Sequence, residues 1–182
     1  MGDLTTLANA KAWLGIAGTT DDPLLTRLVS GASQFIQAWL NRQLLSASYS
    51  EVRDGHGGAA LVFGNYPVSA VSSVLIDSIS IPTAVNITDS GYRFTATKIM
   101  LAGYVFSRGQ GNVTLGYTAG YSSIPPEIEQ ACLELVGFKY RERDRIGHAS
   151  KSLAGEVVSF VVSDMPAPVK TILTNYKEVV PV

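Results

Sequence analysis

The stretch YTAGYSSIPPEIEQACLELV, residues 117–136, changes abruptly in character along its length. A polar run broken by glycine stops at two prolines, and a strongly apolar segment follows. Pro125 precedes another proline, which disfavours the α conformation for that residue. Pro126 has φ preset near the helical value, and its missing N–H costs nothing at the first position of a helix. The sequence therefore predicts a helix that begins at or very near Pro126.

This predicted helix is apolar on more than one side. Its apolar residues, three or four positions apart, fall on two faces: Ile128, Ala131, Cys132, Leu135 and Phe138 on one, and Leu133, Val136 and Tyr140 on the other. Such a helix is either central to its own fold or shared with a neighbouring protein. The sequence alone leaves both explanations open.

Three further helices are predicted from caps and apolar spacing. The first runs from about Thr6 to Leu14 and is followed by Gly15, which suits a left-handed helix end. The second begins where Asp21 and Asp22 supply cap chemistry, and its apolar stripe continues to Leu40. The last begins near Pro168, with apolar residues at helical spacing.

Residues 47–121 have a different texture, in which short β-branched and aromatic runs alternate with turn residues. They predict five to seven short antiparallel strands. The fold class is therefore α+β: a bundle of about four helices, from residues 1–46 and 122–182, with an inserted β-rich subdomain over 47–121. Residues 146–163 lack clear periodicity, and the apolar run at 157–162 fits a strand or a flexible loop. Residues 177–182 are expected to form an extended apolar tail.

The composition excludes several classes of protein. The net charge of -1 and pI near 6.1 give no overall attraction to nucleic acid or an anionic membrane. Charged residues make up 16% of the chain, against roughly 25% in a typical domain. Either Ser and Thr replace charges on a β-rich surface, or uncharged surface is hidden in an oligomer. We expect a soluble, intracellular protein, because neither a signal sequence nor an apolar span of about 20 residues is visible.

The residue patterns of catalysis and metal binding are missing from the sequence. Cys132 is the one cysteine, which excludes an internal disulfide and favours a core position. His56 lies in a glycine-rich turn and His148 in a weakly patterned segment, so neither is expected to act as a base or ligand. We therefore predict no catalytic residue, cofactor or metal. The alternative is a small hydrolase with a site around His56.

A basic cluster follows at the end of the helix that starts at Pro126. Lys139, Arg141, Arg143 and Arg145 stand among Glu142 and Asp144. Cations at a helix C-terminus interact favourably with its dipole, so a solvated helix end explains them. A seam between subunits or a wall facing DNA is the other explanation, although the cluster is too weak to indicate DNA binding.

Taken in order, these motifs resemble tailed-phage head–tail connector proteins, the adaptor or head-completion family, in its longer members with a β-rich insertion. The first helix carries Lys11, and an Asp-Asp-x-Leu-Leu entry to the second helix begins at Asp21. That second helix closes with an aromatic residue and Asn-Arg, here Trp39, Asn41 and Arg42. A Tyr-x-Ala-Gly-Tyr turn follows at 117–121, and the Pro-initiated helix ends in Tyr-x-x-Arg, Tyr140 to Arg143. Residues 146–182 match the pattern least.

The resemblance implies a structural protein whose copies form a ring below the portal of a capsid or prophage particle. The ring, dodecameric in the particle from subunits that can be monomeric alone, extends the DNA channel without reading DNA sequence. The implied partners are the portal protein, a stopper or tail-completion protein, and copies of the chain itself, with no membrane. The implied location is the virion neck, after assembly in the host cytoplasm. Other neck roles, such as stopper or tail terminator, remain alternatives.

The extended apolar segments at 157–162 and 177–182 and the basic helix terminus are the candidates for the ring or portal interface, because extended segments can add a strand to a neighbour or to the portal. The predicted interface residues are Arg141, Arg143, Arg145, Phe160, Val161, Val162, Tyr176, Val179 and Val180.

Overall fold

The computed structural model describes residues 2–143, 150–153, 156–159 and 165–177. The fold is α+β, as the sequence predicts. The chain forms two compact units. The helical unit contains Met1–Arg42 and Ile124–Val182, and the β unit contains Gln43–Ser123.

The helical unit contains the four predicted helices, and local cap chemistry sets their ends. They are α1 (Leu7–Leu14), α2 (Asp22–Leu40), α3 (Pro126–Glu142) and α4 (Ala167–Thr174). The Thr6 hydroxyl accepts the Asn9 N–H at 3.2 Å and caps α1. Gly15, with φ of 71°, and Asn41, with φ of 55°, end α1 and α2 in the left-handed conformation.

Helix α3 is central to the helical unit. It contacts α1, α2 and α4, and these neighbours surround its two apolar faces. Its buried residues include members of both predicted faces, Ile128, Ala131, Cys132 and Leu135 from one and Leu133 and Val136 from the other, together with Gly137. The double-sided apolar pattern is therefore explained by packing within one unit, so it no longer argues for a neighbouring subunit.

The buried polar groups near α3 are paired with each other. Ser33 on α2 accepts the Leu4 N–H at 2.9 Å, and its oxygen lies 3.7 Å from the sulfur of Cys132. Burial raises the pKa of the Cys132 thiol to about 11. Cys132 is thus a protonated core residue, as the sequence predicts.

The β unit contains seven antiparallel strands, at the upper limit of the predicted number. They are β1 (Ala47–Gly55), β2 (Ala60–Val62), β3 (Val68–Ile76), β4 (Ile79–Ser80), β5 (Gly91–Phe94), β6 (Lys98–Ala102) and β7 (Gly109–Ala119). One sheet has the order β1-β7-β3-β4 and the other β2-β6-β5. The long strand β7 pairs on both sides, with β1 and with β3.

Tyr117 on β7 lies in the centre of the β unit and is 1% exposed. Its ring packs against Phe63 and Tyr49, with centroids 4.6 and 5.5 Å away. Its hydroxyl donates to the Glu51 carboxylate at 2.6 Å and accepts the Asn65 N–H at 3.2 Å. Burial, followed by the hydrogen bond to Glu51, raises the pKa of Tyr117 to about 12.

The weakly patterned part of the sequence contains a hairpin of β8 (Ser150–Leu153) and β9 (Glu156–Ser159). Strand β9 covers the first part of the apolar run at 157–162, for which a strand was one of the two interpretations. No helix in the described part of the chain is long and apolar enough to cross a membrane.

Candidate assembly surfaces

The motif residues of the helical unit meet at the start of α2. Lys11 on α1 forms an ion pair with Asp22, Nζ to Oδ1 at 2.7 Å. The Tyr140 hydroxyl on α3 donates to Asp21 Oδ2 at 2.5 Å. Arg143 covers the Tyr140 ring at 4.0 Å from its centroid and donates to the Tyr140 carbonyl at 2.7 Å. The end of α1 and the end of α3 are therefore both fixed by side-chain contacts to the start of α2.

The two aspartates differ from their predicted role as caps. The Asp21 side chain makes no capping hydrogen bond to the backbone of α2. Its carboxylate accepts from Tyr140 instead, because the crossing of α3 brings a stronger donor than a backbone N–H. That hydrogen bond to Asp21 is the main cause that raises the pKa of Tyr140. The Asp-Asp pair is thus a tie between helices.

A second set of side chains fixes the other end of α3. Glu129, in the first turns of α3, accepts from the Thr5 hydroxyl at 2.9 Å and from the Asn9 amide at 2.7 Å. The negative charge also suits the N-terminal end of the helix dipole. The N-terminal segment and α3 are therefore joined by polar contacts at the α3 start.

The basic cluster separates into residues with different surroundings. Lys139 lies over the Phe35 ring, 5.5 Å from its centroid, and Arg143 belongs to the tie at Asp21. Arg141 is exposed and has no hydrogen-bond or ion-pair partner among the described residues. Arg145 lies outside them. Of the predicted interface arginines, Arg141 alone is thus shown to be available for a contact.

An open groove of about 640 Å³ lies beside Arg141 in the helical unit. Its apolar lining comes from Trp13 on α1, Phe138 on α3 and Pro166 before α4, and Glu134 and Glu142 complete it with Arg141 and Gly137. We call this surface the Trp13 groove. No local sequence pattern indicates this groove, because Trp13 and Phe138 come from separate helices.

Glycine at position 137 makes room for the indole of Trp13. A Cβ atom at Gly137 would lie 3.2 Å from Trp13 Nε1, which is tight for a carbon contact. The indole rests against the backbone of α3 and remains 48% exposed. Trp13 has no hydrogen-bond partner in the described residues. Tryptophan is enriched at protein interfaces, and the half-exposed indole of Trp13 is accessible for such a contact.

The chain after α4 is attached near the beginning of α3. Tyr176 donates its hydroxyl proton to Glu127 Oε2 at 2.9 Å. Lys177 lies over the Trp39 ring, 4.9 Å from its centroid. Tyr176, a predicted interface residue, is therefore engaged within the helical unit, at the opposite end of α3 from the Trp13 groove.

The remaining predicted interface residues, Phe160, Val161, Val162, Val179 and Val180, lie outside the described part of the chain.

The β unit exposes an aliphatic loop between β4 and β5. Val85 is 84% exposed and Ile87 is 87% exposed. The turn between them is held by the Asp89 carboxylate, which accepts the Asn86 N–H at 2.7 Å, and by a hydrogen bond from Arg93 to the Asn86 carbonyl. Two aliphatic side chains are thus presented to solvent on a well-bonded turn.

The alternative hydrolase site around His56 gains no supporting groups. His56 is exposed, and its ring lies beside Gly58 in the turn. Among the described residues, no group of three or more His, Cys, Asp or Glu side chains is placed to hold a metal ion.

Comparisons with known proteins identify the family. The sequence matches the family described as head completion protein over residues 3–179. The chain belongs to the head completion protein family. Membership gives it a structural role at the head–tail connection of a phage-like virion, as the motif order implies. No curated protein matches the sequence.

Solved structures with the same fold come from the necks of gene transfer agent (GTA) particles. A protein in the neck of an empty GTA particle, computed with C6 symmetry, has a TM-score of 0.64 and 18% identity, covering 98% of this chain and 92% of that one. One in the neck of a native particle, computed with C12 symmetry, has a TM-score of 0.60 and 16% identity, covering 100% and 96%. One in the native GTA virion has a TM-score of 0.61 and 18% identity, with the same coverage. The fold of this head completion family member is thus similar to that of proteins from GTA necks.

Proposed function

We propose that the chain is an adaptor subunit that assembles as a ring of twelve beneath the portal. Membership of the head completion family over residues 3–179 carries this proposal. The fold match to proteins of necks computed with sixfold and twelvefold symmetry supports a ring. The ring extends the channel through which DNA passes and receives the next neck protein, a stopper or tail-completion protein.

The interface of such a ring is head-to-tail, so each copy presents two different surfaces. We propose that the end of α3 and the C-terminal segment supply them, through Arg141, Arg143, Arg145, Phe160, Val161, Val162, Tyr176, Val179 and Val180. The free guanidinium of Arg141 beside the Trp13 groove supports the first surface.

The two compact units support a division of the chain into two domains. In this proposal the helical unit is the core and residues 47–121 are an inserted β-rich subdomain.

Deletion of residues 177–182 is expected to weaken docking to the portal while the monomer keeps its melting temperature. If the truncated protein still completes infectious particles normally, the C-terminal segment is not part of the interface.

Electron microscopy of the chain mixed with its portal tests the main proposal. The expected result is a ring of density on the tail-facing end of the portal. Density elsewhere, or a complex with the tail tube in place of the portal, would assign the chain to a stopper or terminator role.

We also propose that the chain has no enzymatic activity, and substitution of His56 tests this. His56→Ala removes the imidazole around which a hydrolase site would form. Particle yield and infectivity are expected to stay unchanged, because the exposed ring contributes little to folding. A loss of infectivity with normal particle assembly would favour the hydrolase.

A further inference from the structure

We propose that the outer face of the sheet β2-β6-β5, with the loop beside it, binds the Trp13 groove of an adjacent copy of this chain. The inference rests on the proposed ring and names the surface of the neighbouring copy that meets the end of α3. Its elements are an apolar, basic surface on the β unit and an apolar, acidic groove on the helical unit.

The sheet β2-β6-β5 contributes only one of its faces to the core of the β unit. Successive side chains of a strand point to opposite faces, so Ile99 and Leu101 of β6 lie in the core and Lys98 and Met100 point away from it. The register of the strands places further outward side chains beside these two. The outer face includes Ala60, Val62, Arg93, Lys98 and Met100.

This outer face differs from an ordinary solvated face of a sheet. An antiparallel sheet with one side in water usually presents polar side chains there. Here Ala60 and Met100 are direct neighbours across the strands, and Val62, opposite Lys98, is 51% exposed. None of the three strands contains an acidic residue. The face is therefore apolar with two cations.

The loop between β4 and β5 extends this face. Arg93 donates a hydrogen bond to the Asn86 carbonyl, so the turn that presents the exposed side chains of Val85 and Ile87 lies beside Arg93. We call the outer face and this loop together the Val62 surface. A contiguous group of exposed apolar side chains with polar residues around it marks a site of protein interaction.

The charges of the Val62 surface are opposite to those of the Trp13 groove. The surface has two cations, Arg93 and Lys98, and one carboxylate, Asp89. The groove has two carboxylates, Glu134 and Glu142, and one cation, Arg141. The net charges are thus +1 and -1, so docking of one surface on the other brings opposite charges together.

Lys98 is the cation best placed to contribute to such a contact. It is exposed, and its ammonium group has no hydrogen-bond or ion-pair partner among the described residues. Arg53, which donates to the Val62 carbonyl, is paired with Glu51 and adds no net charge to the surface.

The charges also favour a contact between different surfaces over a contact between identical ones. Two copies of the Val62 surface that face each other bring Lys98 and Arg93 against like charges, and two Trp13 grooves bring glutamates together. A closed ring needs a head-to-tail interface, in which each copy contributes two different patches. The Val62 surface and the Trp13 groove meet this requirement from two separate units of the chain.

Disulfide cross-linking between two differently tagged full-length chains tests the contact. Ala60→Cys places a thiol on the Val62 surface of one chain, and Pro166→Cys places a thiol in the groove of the other. With the portal and an added oxidant present, a disulfide between the two tags is expected. Cys132 does not compete, because it is buried.

Ala70→Cys is the matched control for the first thiol. Ala70 is exposed on β3, in the other sheet of the β unit. Because the yield follows the effective concentration of the two thiols, this variant should give on the order of tenfold less product with Pro166→Cys.

Charge exchange tests the electrostatic match. Lys98→Glu in the first chain or Glu134→Lys in the second should lower the cross-link yield by several fold, and the mixture of both variants should recover it. A melting temperature within a few degrees of the parent chain shows that each variant is folded.

Two exposed isoleucines test the apolar part of the contact. Ile87→Asp removes an aliphatic side chain from the Val62 surface and adds a carboxylate opposite the glutamates of the groove, so the yield should fall by about tenfold. Ile79, on β4, is 65% exposed and lies outside the Val62 surface. Ile79→Asp should leave the yield unchanged.

Four outcomes would overturn the inference. They are equal cross-linking at Ala60 and Ala70, a disulfide that forms only within one chain carrying both cysteines, the absence of any charge rescue, and equal losses for Ile87→Asp and Ile79→Asp. If a ring still forms on the portal in these cases, the adaptor function stands and another partner covers the Val62 surface. If the parent chain forms no ring on the portal, the proposed function and this contact are both wrong.

Discussion

The helices of the helical unit are joined by side chains, whereas the strands of the β unit are joined by their backbones. In the helical unit, Asp21 and Tyr140 lie 119 residues apart in sequence and form a direct hydrogen bond. In the β unit, β7 is hydrogen-bonded along its length to β1 and β3. Side-chain ties fix where helix ends point, which determines the surfaces offered for assembly. Backbone hydrogen bonds between strands make the β unit rigid, and its turns depend on a few glycines with positive φ.

Glycine substitutions should show the largest difference between the two units. Gly120 in the β unit has φ of 111°, and an added Cβ would lie 2.5 Å from the Leu45 carbonyl oxygen. Gly120→Ala is expected to lower the free energy of unfolding by at least about 3 kcal/mol, since backbone strain adds to the steric overlap. Urea denaturation measures this loss.

The matched control lies in the helical unit. Gly31 is exposed on α2, and an added Cβ would meet no atom within 4 Å. Gly31→Ala should raise the free energy of unfolding by up to about 1 kcal/mol, because alanine favours a helix interior. Equal effects at the two positions would mean that the β unit does not depend on its Gly120 turn.

The tyrosine hydroxyls give the next largest contrast. Tyr117→Phe removes a partly buried hydrogen bond from a buried ring to the Glu51 carboxylate, and we expect a loss of about 1.5–3 kcal/mol in the free energy of unfolding. Tyr140→Phe removes a similar bond to Asp21 near the surface, where water replaces it, so the loss should be smaller. Chemical denaturation of both variants ranks them, and the reverse order would contradict the assigned burial.

How far the sequence predicts this architecture depends on the range of each interaction. The start of α3 at Pro126 follows from two adjacent prolines, and Gly15 and Asn41 end their helices through their own backbone conformations. The β-rich texture of 47–121 gives the number of strands, but the sheet order β1-β7-β3-β4 depends on pairings between distant segments. No local pattern encodes those pairings.

The candidate surfaces were harder to predict than the elements that form them. Asp21 has the local pattern of a helix cap, and its partner, the hydroxyl of Tyr140, comes from a helix more than a hundred positions away. The Trp13 groove requires a bare backbone at Gly137, which periodicity treats as a weak point in a helix. The available signals were a tryptophan on α1, Trp13, and a glycine on α3, Gly137. They indicate a groove only once α1 and α3 are known to be in contact.

The raised pKa of Tyr117 predicts a loss of stability in alkaline solution. An unfolded tyrosine ionises near pH 10, whereas folded Tyr117 stays neutral until about pH 12. Its contribution is therefore complete below pH 10 and is lost as the pH rises from 10 to 12, by up to about 1.4 kcal/mol per pH unit. The difference in free energy of unfolding between the parent chain and Tyr117→Phe should shrink over this interval. A constant difference from pH 9 to 12 would contradict the shift.

The ion pair between Lys11 and Asp22 should give the smallest effect. Its side chains are 18% and 28% exposed, so solvent screens the charges only in part. A double-mutant cycle with Lys11→Met and Asp22→Asn is expected to give a coupling of about 0.2–1 kcal/mol, which should decrease as salt is added. A coupling energy larger than the loss of stability in Tyr117→Phe would contradict the contrast between the units. A partly exposed ion pair in the helical unit would then contribute more to stability than the Tyr117 hydrogen bond in the β unit. Coupling near zero at low salt would assign the position of α1 to apolar packing and to the hydrogen bond between Asn9 and Glu129.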